Sequence, residues 1–182
     1  MSYANRYPGT RPFLSAIVPL LLLAFAGCSA APTAKDGESL KPNQGLLAFK
    51  VTSSADAVLG YVAFSSETSF GSRLAEYTLG PKGKIQISTG EKYYMIPLEA
   101  GDYMWGRLNV GHSFASLQVH NRFRVRANAI TYVGNFRLIV IDDKFTLSVS
   151  DREEDVRKYI EETYPAYTKS MSFEKVIAEV RL

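Results

Sequence analysis

Apolar and polar side chains alternate with a period of two along much of the chain between residues 45 and 150. Successive side chains of a β-strand point to opposite faces, so this period predicts half-buried strands. Residues 129–141 are largely apolar at odd and even positions alike, which is typical of a central strand that is covered on both faces. The clearest alternating stretches are residues 47–51, 85–87, 122–126 and 144–149.

Turn-forming residues separate these stretches, with Gly, Pro or Asp clusters at residues 80–83, 89–90, 100–102 and 142–143. Short strands with turns at roughly ten-residue spacing favour a sandwich or barrel. We therefore predict an all-β domain over residues 45–150, built as an antiparallel two-layer β-sandwich of about eight to ten strands.

A different period begins after residue 150. Apolar residues then recur every three or four positions, which is the spacing of one face of an α-helix. Ser150 and Glu153 have the spacing of a capping box, and Pro165 is expected to end the helix. We predict a helix over residues 151–164 that docks on the sandwich through one stripe. The stripe consists of Val156, Tyr159, Ile160 and Tyr164.

The last segment, residues 172–182, fits two patterns. Counted from Phe173, apolar residues follow helical spacing, whereas counted from Val176 every second residue is apolar. We favour the helix, which makes residues 151–182 a C-terminal helical extension, and the strand remains open.

The N-terminal segment carries a separate signal. Arg6 and Arg11 precede 14 uncharged, mostly apolar residues at positions 13–26, and residues 1–27 contain no Asp or Glu. A membrane-spanning helix needs about 20 apolar residues, whereas the apolar core of a secretory signal peptide has roughly 7–15. The segment is therefore predicted to be an export signal, which ends at the small residues Ala26 and Gly27.

The residues after this apolar run, Phe25-Ala26-Gly27-Cys28, resemble the lipobox of Gram-negative bacterial lipoproteins, with Phe25 where that family usually has Leu. The resemblance implies cleavage before Cys28, attachment of three acyl chains (palmitate among them) to Cys28, and stable anchoring in the outer membrane, facing the periplasm. The non-acidic Ser29 implies outer-membrane rather than inner-membrane sorting. A secreted protein with an unmodified Cys28, or a retained membrane helix, remain as alternatives.

These signals divide the chain into a signal peptide (residues 1–27), a lipidated cysteine with a flexible tether (28–44), the sandwich (45–150) and the extension (151–182). The tether is predicted from its small, polar and Pro/Gly-rich composition. The net charge of +3 includes two arginines of the signal peptide, so composition gives no indication of nucleic-acid binding. Cys28 is the single cysteine, so no disulfide can form within the domain.

Two stretches resemble known sandwich families. PLEAGDYMW, at residues 97–105, is similar to a hairpin of transthyretin-like and carboxypeptidase-regulatory-like domains. FRVRANAITYVGNFRL, at residues 123–138, is similar to a segment of uncharacterised bacterial lipoproteins with that architecture. The resemblance implies a prealbumin- or Ig-like sandwich and says little about function, because such motifs consist of turn glycines and core aromatics.

Two sets of residues are candidates for ligand binding, and each has a structural alternative. Arg122, Arg124 and Arg126 alternate along one strand, either to bind phosphate groups of lipopolysaccharide or as a charged strand edge that prevents aggregation. Tyr103 and Trp105 share one strand face, either as an aromatic platform for glycans or as part of the core.

No catalytic or metal-binding constellation is evident. GHSFA, at residues 111–115, differs by one residue from the G-x-S-x-G motif of hydrolases, which requires a strand–turn–helix context. His112 and His120 are the only histidines and have no metal-ligand spacing. We therefore predict a protein that is not an enzyme and holds no cofactor or metal.

Together these patterns predict a non-catalytic outer-membrane lipoprotein whose sandwich is a periplasmic binding or scaffold module for another protein of the cell envelope. The alternative is a lipoprotein that binds glycans or lipopolysaccharide. The expected partners are the membrane, through the lipid anchor, and an envelope protein. The sequence does not define an oligomeric state.

Overall fold

The computed structural model describes residues 33–64, 83–117, 122–142 and 144–177. These residues form two five-stranded sheets, which we call sheet A and sheet B. The elements in chain order are β1 (Gln44–Ser53), β2 (Ala57–Phe64), β3 (Gly83–Ile87), β4 (Gly90–Glu99), β5 (Gly101–Val110), β6 (Ser113–Ser116), β7 (Arg122–Val125), β8 (Ala129–Ile141), β9 (Lys144–Ser150), α1 (Glu153–Thr163), α2 (Pro165–Ser170) and β10 (Ser172–Lys175). The all-β sandwich with a C-terminal helix is confirmed. The predicted signal peptide and Cys28 lie outside the described residues.

Sheet A has β1 and β8 at its centre. β1 pairs with β4 antiparallel and with β8 parallel. The opposite side of β8 is shared by two strands, because β10 pairs parallel with its first residues and β9 pairs antiparallel with its last residues. The sheet is therefore mixed rather than purely antiparallel. The central-strand prediction for residues 129–141 is confirmed, because β8 has neighbours on both sides.

Sheet B has the order β3-β2-β5, followed by β6 and β7, which share the far side of β5. All of its described pairings are antiparallel. β4 and β5 lie in different sheets, so the turn at Ala100 connects the two layers. The hairpin implied by the resemblance of residues 97–105 is therefore not present.

The sandwich encloses one apolar core between the sheets. A second apolar core, which we call the outer core, lies on the outer face of sheet A. Leu47, Phe49 and Val51 of β1 point into the first, whereas Leu46 and Ala48 point into the second. The helices cover this outer face, as predicted from the helical stripe. Val156 and Ile160 are buried there, together with Tyr164. Tyr159 is half-buried, and its ring stacks on that of Tyr93 with centroids 3.9 Å apart.

The predicted capping box is wrong, since Ser150 ends β9 and α1 begins at Glu153. The Glu153 N–H instead donates to the Asp151 carboxylate at 3.2 Å, and the Arg152 N–H donates to the Tyr132 hydroxyl at 2.9 Å. The first turn is thus positioned by sheet A, because Tyr132 lies on β8.

The C-terminal segment was expected to be helical, but Ser172–Lys175 form β10. The physical reason lies in β8, whose first residues extend beyond the reach of β9 and would otherwise leave backbone groups unpaired. β10 pairs with these groups from Ala129 to Tyr132, and the Val176 N–H donates to the Tyr132 carbonyl at 2.8 Å. Residues 178–182 lie outside the described residues.

Residues 34–44, which their composition assigns to the flexible tether, contact the folded domain. Ala34 is buried in the outer core, and its N–H donates to the Met95 carbonyl at 2.6 Å. The Tyr167 hydroxyl lies 2.9 Å from the Lys35 carbonyl and 2.8 Å from the Glu38 carbonyl. A composition rich in small residues does not prevent docking where the folded domain supplies apolar contacts and hydrogen-bond partners.

Burial of tyrosines in the outer core gives a pH-dependent stability. Desolvation is the main cause that raises the pKa of Tyr164 from 10.0 to about 12. The unfolded chain then loses the phenolic proton at a lower pH than the folded protein, so the contribution of Tyr164 to stability is constant below pH 10 and falls between pH 10 and about 12. We expect Tyr164→Phe to make this fall shallower, as measured by thermal melting across that range. An unchanged alkaline slope would contradict the assignment to Tyr164.

Candidate functional site

Tyr103 and Trp105 are buried in the core between the sheets. Trp105 is fully buried and Tyr103 is 7% exposed. The Trp105 ring contacts Phe49, Phe123 and Phe136, with centroid distances of 5.8, 4.8 and 5.3 Å. The Tyr103 hydroxyl donates to the Glu99 carbonyl at 2.7 Å. Neither ring presents a free face to solvent, so the predicted glycan platform is not formed by these residues.

The three arginines lie at the edge of sheet B, close to β5 and β10. Arg122 and Arg124 point outward from β7, whereas Phe123 and Val125 point into the core, as the alternation predicted. Arg126 follows the strand and reaches towards sheet A. The three side chains therefore do not form one continuous strip on a single strand face.

Carboxylates neutralise at least two of these arginines. Arg124 makes a bidentate pair with Asp102, its direct neighbour on β5, with Nε–Oδ1 and Nη2–Oδ2 distances of 2.7 and 2.9 Å. The Arg124 guanidinium lowers the pKa of the Asp102 carboxyl, and Arg122 adds to this effect. Arg126 pairs with Glu174 of β10 at 2.8 Å, which joins the edges of the two sheets. An anionic ligand would have to compete with these carboxylates, so the arrangement favours the charged-edge alternative.

We expect the triple change of Arg122, Arg124 and Arg126 to Gln to leave binding to lipopolysaccharide unchanged. The reason is that Asp102 and Glu174 already occupy the guanidinium groups of Arg124 and Arg126, which are then not available to bind phosphate groups. Sedimentation of the protein with lipopolysaccharide at low and high salt measures this, with Lys84→Gln, on the opposite edge strand β3, as a control for loss of positive charge. Salt-sensitive binding that only the triple variant loses would restore the arginines as an anion site.

The hydrolase-like motif lies in a β-hairpin. Gly111, at φ +56°, and His112 form the turn between β5 and β6, and Ser113 is the first residue of β6. The strand–turn–helix context that the motif requires is therefore absent at this position. His120 lies outside the described residues. Among the residues that the structure describes, no group of three His, Cys, Asp or Glu side chains is placed to hold a metal ion.

Sequence reasoning missed the contact between residues 34–44 and α2. The Asp36 carboxylate accepts a hydrogen bond from the Ala166 N–H at 3.1 Å, at the start of α2. Gly37 has φ +71° and allows the turn that brings Lys35 and Glu38 together around the Tyr167 hydroxyl. Asp36-Gly37 is a turn signal in the sequence, but nothing local indicates that the turn packs on a helix 130 residues away.

A few large apolar side chains are exposed on the described surface. Ile141 is 65% exposed and Ile139 is 37% exposed, both on the outer face of β8, beyond the helices. Phe114 of β6 is 58% exposed, and the Arg107 guanidinium lies 3.7 Å from its ring centroid. Single exposed apolar residues are common on protein surfaces, so they do not define a docking site.

No protein-family model matches this chain, and no curated protein matches it. Within the described ranges, no helix has the length and apolar character needed to cross a bilayer. The class that the fold defines is therefore a two-sheet, mixed β-sandwich with two helices packed on one sheet.

Proposed function

We propose that this protein is a lipid-anchored lipoprotein of the outer membrane and that its sandwich is a non-catalytic periplasmic binding or scaffold module for another envelope protein. The observation that carries the proposal is the 14-residue apolar run at positions 13–26 followed by Gly27-Cys28. Its length suits an export signal rather than a membrane span, and its end suits lipidation of the only cysteine.

The folded domain is consistent with this proposal in two respects. The cores between and outside the sheets are built without cysteine, so modification of Cys28 leaves the domain's packing intact. Residues 34–44 connect directly to β4 and α2, so a lipid on Cys28 would hold a rigid module at the membrane. The alternative, glycan or lipopolysaccharide binding, has less support, since Tyr103 and Trp105 are buried and two arginines are paired.

We expect Cys28→Ser to abolish lipidation and membrane association while the sandwich stays folded. In cells, the parent protein should incorporate a clickable fatty acid and sediment with membranes, and the variant should do neither. Ser29→Ala leaves the cysteine in place and keeps position 29 non-acidic, so it is the matched control and should behave like the parent.

Two results would contradict the proposal. An unlabelled Cys28→Ser variant that still sediments with membranes would identify residues 13–26 as a retained anchor. A parent protein that takes up no fatty acid and is released in soluble form would identify an ordinary secreted protein.

A further inference from the structure

The chain leaves the folded domain from the side of the sandwich, not from its end. β1 begins at Gln44, at the end of sheet A where the turn at Ala100 lies, and the Ala100 N–H donates to the Asn43 carbonyl at 2.7 Å. From there the preceding residues run back over α2 to Ala34, which binds the Met95 carbonyl. Met95 is at the middle of β4, so the exit is displaced by about 14 Å from the start of β1 along the strand direction.

Several contacts hold this segment in place. Ala34 is 6% exposed, Asp36 accepts a hydrogen bond from the N-terminus of α2, and Tyr167 donates to the carbonyls of the Lys35–Glu38 turn. The remaining connection from Cys28 to Ala34 spans at most about 20 Å, whereas a loose connection from Cys28 to Gln44 would span up to about 55 Å. The acyl chains would therefore be held within a short distance of β4.

The corner of the sandwich that lies farthest from β4 is formed by β6 and β7. The Tyr94 hydroxyl of β4 donates to the Gln86 carbonyl of β3 at 3.0 Å, so these two edge strands lie on the same side. On the other side, Arg126, which follows β7, pairs with Glu174 of β10. β4 is thus diagonally opposite β6 and β7 in the two-layer structure.

The outer edge of β4, on the side away from β1, is poorly suited to pairing with a strand of a partner protein. Backbone groups of residues two apart point to the same edge of an antiparallel strand. Met95 already uses its carbonyl to bind Ala34, and the next outward-facing position is Pro97, which has no N–H to donate. A surface that does not need strand pairing, such as a layer of lipid headgroups, is compatible with this edge.

Resting on the proposed lipid anchor, we propose that the domain lies side-on at the membrane. The edge of sheet A formed by β4 faces the lipid headgroups, and the edge of sheet B formed by β6 and β7 faces away, open to other envelope components. Two features carry this orientation: the position of Ala34 at the middle of β4 and the short connection from there to Cys28.

Energy transfer to a headgroup-labelled lipid tests the orientation. The full chain is produced in cells, purified from membranes and reconstituted into phosphatidylethanolamine–phosphatidylglycerol vesicles. Because the native Cys28 is acylated in this form, the cysteine of Lys92→Cys (exposed on β4) or of Ser116→Cys (on β6) is the only thiol that takes a donor dye. A domain of this size is roughly 35–40 Å across, so we expect transfer at least about twofold higher from position 92 than from position 116.

A variant of the packed segment provides the second measurement. Ala34→Asp places a charge in the outer core and should release residues 34–44, so the difference between the two positions should collapse while the protein still floats with vesicles. Ser39→Asp adds the same charge at an exposed position of the same segment and should keep the difference. If the acylated parent protein binds vesicles but shows equal energy transfer from both positions, the proposed orientation is wrong, whereas the lipid anchor stands. Parent that is neither acylated nor vesicle-bound would overturn the anchor and, with it, the orientation.

Discussion

Ile160→Asp is expected to lower the free energy of unfolding by at least about 4 kcal/mol, because it places a charge in an apolar site without a partner. Ile160 is 1% exposed and packs in the outer core with Leu46, Met95 and Ile130. Loss of this contact also weakens the docking of α1 on sheet A. Urea unfolding followed by tryptophan fluorescence measures the change, since Trp105 is the only tryptophan.

Ile141→Asp is the matched control, because it makes the same chemical change at a side chain that is 65% exposed on the same sheet. We expect it to alter stability by less than about 1 kcal/mol. Equal destabilisation by the two variants would contradict the packing of α1 on the sheet.

Gly134→Ala should be the second large effect, at about 3 kcal/mol or more. Gly134 has φ +114°, a conformation that L-residues rarely adopt, and a Cβ at this position would overlap the Val149 side chain of β9. Gly134 lies at the point where the register of β8 against β1 shifts. On the other side of β8, the paired strand changes near this point from β10 to β9. Thermal melting of the variant measures the cost.

Two further variants separate backbone strain from steric overlap as causes of the stability loss in Gly134→Ala. Gly90 also has a positive φ, at +99°, but a Cβ there would meet no atom within 4 Å, so Gly90→Ala reports backbone strain alone and should cost less. Val149→Ala removes the atom that a Cβ at position 134 would meet, so the double variant should lose less stability than the sum of the two single variants. Strict additivity would show that the overlap with Val149 is not the source of the effect.

The strands were predictable because their signal is local. The period of two around Phe49 and Phe123 reports which residues share a face, and both are buried as the alternation requires. The helical stripe of α1 is local in the same sense, and Val156 and Ile160 follow it. Nine strands lie between residues 44 and 150 in the described structure, within the expected range.

The candidate site was predictable only in part, because each residue's role depends on distant partners. Alternation places Arg122 and Arg124 outward, but it does not reveal that Asp102, on a neighbouring strand, binds Arg124. The shared face of Tyr103 and Trp105 is equally visible in the sequence. Whether that face points to solvent or to the other sheet is decided by the packing of β5 against sheet A.

The sequence by itself determined the all-β class, the positions of most strands, the stripe of α1 and the N-terminal pattern on which the proposed anchor rests, because each depends on neighbouring residues. Only the tertiary structure decided the parallel pairing of β1 with β8, the strand at Ser172–Lys175 and the docking of residues 34–44 on α2. These three features depend on unpaired backbone groups and apolar surface that become available only when segments far apart in the chain have packed together.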